Sequence, residues 1–541
     1  MLKESPMHPS RHSIVLLVLI LALLGMFRPA APIARGAAPL TAADQAAIRA
    51  LLPPATQAYL KASNTDPLDG FGYSVAVDGD TVAVGALVED SAATGVGGNQ
   101  SDNSAAAAGA VYVFVRTEAG WTQQAYLKAS NTDAADRFGD HVALSGDTLL
   151  VGAAYESSAA TGVGGDQADN SASHAGAAYV FTRTAGVWTQ QAYLKASNAE
   201  AEDLFGYSVA LDGDTAVVGA IWEDSAATGV NGDQANNGAP YTGAAYVFER
   251  ASGVWSQTAY LKPHAPAAAL SHRTFGERIA ISGTAIAVGA PNGGGGHAYV
   301  FERVQGAWTA QATIPSPGED GGRFGWSVAL DGTTLAVGAP LAGMPASGRA
   351  YVFVRSGSTW SQQAVLVPAN GDPNDWFGIA VALSGDRVLV GANWEDSAAT
   401  GFNGNQQDNG AADAGAAYLF VRAGATWTQQ AYLKAPNTDA GDEFGYGVAL
   451  DGSIIAIGAT NEDSAATGIN GDQQDNSAMA AGAVYLFDGD LPVLPTATPT
   501  STATATGIPT ATATATAPVT GTPTATTTPP ERSLYLPLVL R

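Results

Sequence analysis

Cysteine is absent from all 541 residues. That removes disulfides, thiolate nucleophiles and Cys-ligated metals, so the fold must close by packing and hydrogen bonding alone. Basic residues are scarce: 24 Lys and Arg stand against 49 Asp and Glu, a net charge of −25. Nucleic acid and anionic membrane surfaces need clustered Lys and Arg and are disfavoured as partners. Charged residues of both signs make up only 13% of the chain. Most acids therefore lack a basic partner and are expected in water. Of the seven histidines, none recurs in register or beside a nucleophile motif. Gly-x-Ser-x-Gly, His-Glu-x-x-His and P-loop patterns are all missing. Local sequence thus gives no sign of an enzyme. An extracellular hydrolase or lyase acting on polysaccharide stays as an alternative, since a dispersed carboxylate pair for glycoside hydrolysis leaves no local signature.

What is present divides the chain into five stretches. Residues 1–36 read as an export signal, with Lys3 and Arg11 before an apolar run from Ile14 to Phe27 and small residues after it. The run falls short of the roughly 20 residues of a membrane span, so the mature chain is expected to have none. Residues 37–54 form a lead with a short helix expected near Thr41, ended by Pro53 and Pro54. Residues 55–490 repeat. Residues 491–531 are almost wholly Pro, Thr, Ala and Gly and read as an extended linker or stalk. Residues 532–541 turn apolar again and read as a sorting tag. Export places the protein outside the cell or on its surface.

The repeat centres on Phe71-Gly-Tyr-Ser-Val-Ala-Val-Asp-Gly-Asp-Thr-Val-Ala-Val-Gly-Ala86. Alternating residues, a Gly-containing turn and a second apolar run make a hairpin. Phe-Gly returns at Phe138, Phe205, Phe275, Phe324, Phe377 and Phe444, giving seven copies. In the second copy, strand one is expected over Phe138–Ser145 and strand two over Thr148–Ala153. Strand three is expected over Gly176–Phe181 and strand four over Trp188–Leu194. Four short strands at such a period indicate propeller blades. The seventh copy stops after Ala483-Val-Tyr-Leu-Phe487, while an extra Gln57-Ala-Tyr-Leu-Lys61 precedes the first. An open array leaves two unpaired edges. The expected fold is therefore an all-β, seven-bladed β-propeller, monomeric, closed by an N-terminal strand that completes blade seven.

These units resemble FG-GAP repeats, the repeat type of the integrin α-subunit head propeller. Phe-Gly and Gly-Ala flank two strands in every unit, and Gly-Ala-Pro stands at 289–291 and 338–340. The resemblance implies that Phe wedges between blades and that Gly lets backbones converge. It also implies calcium in a loop between strands one and two. Here those turns, such as Asp78-Gly-Asp80 and Asp212-Gly-Asp214, are too short to wrap a cation needing 6–8 oxygens, and their Asp and Gly are expected to be ordinary turn residues.

A different acidic pattern marks five units. A long loop after strand two begins at Glu89, Glu156, Glu223, Glu395 and Glu462, and a second polar loop precedes Phe-Gly. The candidate cation ligands are Asp66, Asp69, Asp90, Asn99 and Asp102 in the first unit. The second offers Asp133, Asp136, Asp166 and Asp169, and the third Asp203, Asp224 and Asp233. The sixth offers Asp372, Asp375, Asp396 and Asp408, and the seventh Asp439, Asp442, Asp463, Asp472 and Asp475. Carboxylate, amide and carbonyl oxygens favour Ca²⁺. The alternative is interlocked Asx-turns, in which the same side chains bond nearby backbone. Strand parity sends both loops to one face. Units four and five lack both, so that face has a low side where Trp326 and Trp376 are expected. The expected role is non-catalytic recognition of an extracellular protein or glycan on this face, with a structural coat as a further alternative.

Overall fold

The structure, a computed structural model, describes residues 56–264, 274–293, 295–318, 322–343 and 346–488. The export signal, the lead, the stalk and the tail lie outside the described residues. By contacts the chain divides into residues 1–494 and 495–541, and the first unit holds every described residue. All regular elements among them are strands, gathered into seven four-stranded antiparallel sheets. Blade one is Phe71–Asp78, Thr81–Ala86, Ala110–Thr117 and Gly120–Leu127.

Burial explains the composition of each strand. The second strand is buried along its whole length in most blades, as in Thr81–Ala86 and Thr148–Ala153, and its sequence is correspondingly apolar without alternation. The fourth strand is wet on one side and alternates, as in Val187–Leu194. First strands of neighbouring blades pack against one another around the ring, so they form its innermost layer. Seven apolar clusters lie between adjacent blades. Each centres on one Phe of Phe-Gly set edge-on against the Tyr and Phe of its own third strand; Phe71 lies 5.4 Å from Tyr112 and 6.2 Å from Phe114.

The ring is closed as the strand count requires. Thr56–Leu60 pairs antiparallel with Ala483–Asp488, with Tyr59 opposite Tyr485 and Leu60 opposite Val484. One cluster joins Leu60, Val484 and Leu486 of blade seven to Phe71, Val84 and Tyr112 of blade one. At the same seam a Cβ on Gly458 would come within 2.0 Å of the Gly72 carbonyl oxygen. Only glycine permits that approach, and Gly85 makes it to Gly139 one blade on.

Two local expectations are corrected. The first strand of blade two begins at Val142, not Phe138, and those of blades four and six likewise begin past Phe-Gly. In blades one, three and seven the strand runs through Phe-Gly, and its register shifts between Phe71 and Ser74 in the first. The Asp-Gly turns, expected to be ordinary, also link blades. Asp451 accepts the Gly79 N–H at 2.8 Å, Asp212 that of Gly283 and Asp331 that of Gly385.

Candidate functional site

The long loop after strand two is a folded part of its blade. In blade one, Lys128 N donates to the Gly95 carbonyl and Gly97 N to that of Tyr126. Val96 thereby bridges to Leu127, and the same bridge recurs at Val163, Val230, Phe402 and Ile469. The last of these contacts Leu60, so the N-terminal strand serves blade seven as strand four serves the others.

Beneath each loop lies a buried polar network. Glu89 Oε2 accepts from Lys128 Nζ at 2.8 Å and from Ser91 N at 3.2 Å. Its Oε1 accepts from Tyr126 OH and Asn64 Nδ2, both at 2.9 Å. Tyr112 OH then donates to Asn64 Oδ1. Glu156, Glu223, Glu395 and Glu462 each hold a Lys at 2.6–3.0 Å in the same way. Glu462 takes both its Tyr and its Lys, Tyr59 and Lys61, from the N-terminal strand. These glutamates and lysines are at most 2% exposed. The expectation that the acids lie in water is thus corrected for these five. Burial draws the Lys128 ammonium below its ordinary range while Glu89 pulls it back up. In these five blades the third-strand tyrosine both packs and donates a hydrogen bond to the Asn.

The candidate ligands occupy five kinds of place. Asp69, Asp136, Asp203, Asp375 and Asp442 are buried, and each accepts the backbone N–H of the residue three earlier at 2.8–3.0 Å. Burial pushes Asp69 and Asp203 up to about 8, and Asp136, Asp375 and Asp442 up to about 7. Asp90, Asp224, Asp396 and Asp463 each accept a backbone N–H from the far end of the long loop. Asn99, Asp166, Asp169, Asp233 and Asp472 cap their own turns, accepting the N–H two residues on. Asp66, Asp133, Asp372 and Asp439 accept an Asn side-chain amide from the long loop, at 2.8 Å for Asn103 to Asp66. Asp102 and Asp475 contribute main-chain carbonyls to Ala92 N and Ala465 N, and Asp408 N donates to Asn405 O. These are the bonds of interlocked Asx-turns. Among the described residues, no group of three or more His, Cys, Asp or Glu is placed to hold a metal ion.

A second set of side chains gathers at the axial rim of the same face. They come from positions where the repeats differ: just before Phe-Gly, just after it, and just after Gly-Ala. Tyr73 lies 4.8 Å from Tyr446 and 6.4 Å from His141, which is 5.9 Å from Tyr207. Arg278 stands 5.8 Å over Tyr207, whose hydroxyl donates to Glu277. Asp140 is pushed up to about 6 by burial, against the pull of Arg137 and Arg278. Arg137 caps the Tyr155 ring at 4.3 Å, and Tyr155 faces His174. Across the ring, Trp376 stacks on Trp394 at 4.0 Å and lies 6.4 Å from Trp326. Trp326 and Trp376 were expected on this face. The others are legible only as departures from the repeat, a signal that the search for recurring residues passes over.

The FG-GAP repeat matches in six segments: residues 55–114, 121–181, 188–248, 308–353, 360–420 and 427–487. Each begins at a fourth strand and ends in the following blade's third, which is the register of the closed ring. No curated protein matches the chain in sequence. Among solved structures, a protein named as a 6-phosphogluconolactonase from Bacteroides uniformis is 10% identical with a TM-score of 0.40. That match covers 67% of this chain and 85% of the other. A likeness at that level says nothing about activity. The six matched segments span more than half of the chain, and it belongs to the FG-GAP repeat family.

Proposed function

We propose that this protein is a secreted or cell-surface, non-catalytic recognition protein. Its loop-bearing face takes an extracellular protein or glycan. One observation carries the reading: the positions at which the repeats disagree converge on the axial rim of one face. Repetition alone builds the ring. Aromatic and charged side chains added at Tyr155, Trp222, Arg323, Trp376 and Glu443 do not serve the common blade and call for another use. Rigid loops over buried networks frame that rim and hold it in one shape, which lowers the ordering cost of binding. The step from fold to role rests on this rim, since propellers host many activities.

The test is a solid-phase screen of the full chain against extracellular proteins and against neutral and acidic glycans. It runs beside a turnover assay on the same polymers. Saturable binding without product is expected, lost in the double variant Arg137→Ala/Trp376→Ala and kept in Asp78→Ala/Asp212→Ala on the opposite face. Product formation, or binding that survives the rim variant, would overturn the reading.

A further inference from the structure

Ten tryptophans occur in the chain. Trp121, Trp188, Trp255, Trp308, Trp360 and Trp427 occupy the recurring position in strand four. The remaining four, Trp222, Trp326, Trp376 and Trp394, all stand at the axial rim of the loop face. Three of them meet where blades five and six adjoin. Trp376 and Trp394 lie at 4.0 Å with their planes 32° apart, and Trp326 closes on Trp376 at 68°. The result is a two-sided indole wall whose three rings are each half-buried.

Polar groups flank the wall. The Arg323 guanidinium stands 5.1 Å over the Trp326 ring. Asn393 adjoins Trp394, is 2% exposed and donates to Glu443 Oε2, yet its Oδ1 is enclosed without a hydrogen-bond partner. The Glu443 carboxyl also bonds the Trp394 and Thr460 side chains. A buried amide oxygen with no partner costs free energy unless a ligand or water donor completes it. On the blade-five side the loop after strand two is the short Pro340–Arg349 segment, in place of the long loop that follows Trp394 in blade six.

The geometry points to a glycan subsite on this indole wall, taking a pyranose ring of a neutral polysaccharide. The inference rests on the recognition role proposed above and narrows its ligand. Indole faces match the apolar C–H face of a sugar, while Arg323, Asn393 and Glu443 offer donors and acceptors to its hydroxyls. The three indoles make one contiguous aromatic surface on which a flat sugar ring can lie. The net charge of −25 disfavours polyanionic chains.

The experiment titrates the full chain with cello-, xylo-, manno- and chito-oligosaccharides, read by tryptophan fluorescence and calorimetry. At least one series is expected to bind with a shift in emission. Trp376→Ala and Trp394→Ala should each weaken it about tenfold or more, with Trp376→Phe intermediate and Trp121→Phe, at the recurring strand-four position, within about twofold. Melting curves of each variant check that the ring remains folded, and Trp376→Phe keeps the comparison alive if an alanine variant does not. Neutral-glycan binding that survives both alanine variants leaves the recognition role standing and overturns this site. So does binding confined to acidic glycans or to proteins. Absence of any binding, to glycan or protein, overturns both.

Discussion

Blades four and five keep the same sheet as the other five but carry neither long loop, and they dispense with the buried network. Where blade one has Tyr126-Leu-Lys128 across the end of its fourth strand, blade four has Thr313-Ile-Pro315 and blade five Val365-Leu-Val367. The register is unchanged: Tyr112 pairs with Tyr126, Tyr299 with Thr313 and Tyr351 with Val365. Apolar packing between blades is unchanged too, since clusters of the same kind flank all seven. The Lys–Glu–Tyr–Asn set is therefore there for the loops, and the sheet does not need it. A buried ion pair has to be fully hydrogen-bonded to be tolerated, which is why its members come and go together.

Breaking the pair should give the largest contrast. Lys128→Met leaves Glu89 buried without its cation, and denaturant unfolding should show a loss of about 3–5 kcal/mol. Val367→Met at the matching place in blade five, where the side chain is 53% exposed, should be nearly neutral. Equal losses would mean that the network is no more than local packing.

A smaller contrast separates two tyrosines at one register position. Tyr112→Phe removes a hydrogen bond to Asn64 and should cost ~1–3 kcal/mol. The Tyr351 hydroxyl is buried without a hydrogen-bond partner, so Tyr351→Phe should leave stability unchanged or raise it.

Acidity should act chiefly through the loop-bearing blades, which hold five buried aspartates of one kind. Asp69, Asp136, Asp203, Asp375 and Asp442 have folded values of about 7 to 8, above an unfolded value of about 3.9. In that window the folded chain holds protons that the unfolded chain has released, so their contribution is complete below about pH 4 and is lost as pH rises to 8. Melting temperature should fall by several degrees between pH 5.5 and 8.5 (roughly the span of those values). Replacing the five by Asn should flatten the slope, and an unchanged slope would show that other groups set it.

Calcium gives the smallest expected effect. Loop oxygens already engaged as Asx-turn acceptors should leave the melting temperature the same in chelator and in millimolar Ca²⁺. An upward shift of several degrees would restore the cation reading of the same aspartates.

The repeat made the ring legible in advance because blade packing is periodic. Each Phe71-like wedge and Gly85-like contact meets its counterpart one blade on, so seven copies fix seven interfaces. The unmatched fourth strand at Gln57–Lys61 told how the circle closes, because an unpaired edge is costly. The loops were legible as a set, but the buried ion pair beneath them was not. The recurring Asp and Asn positions drew attention, while Glu89 and Lys128, 39 residues apart, looked like a loop start and a strand end.

By itself, then, the sequence determined what repetition can carry: strand order, blade number, closure, and which blades bear loops. Tertiary structure alone decided which polar groups are buried against one another and which irregular side chains share a rim. Trp326, Trp376 and Trp394 belong to two blades, and their meeting depends on how the innermost strands converge on the axis. Convergence is a property of the closed ring, and no single repeat contains it.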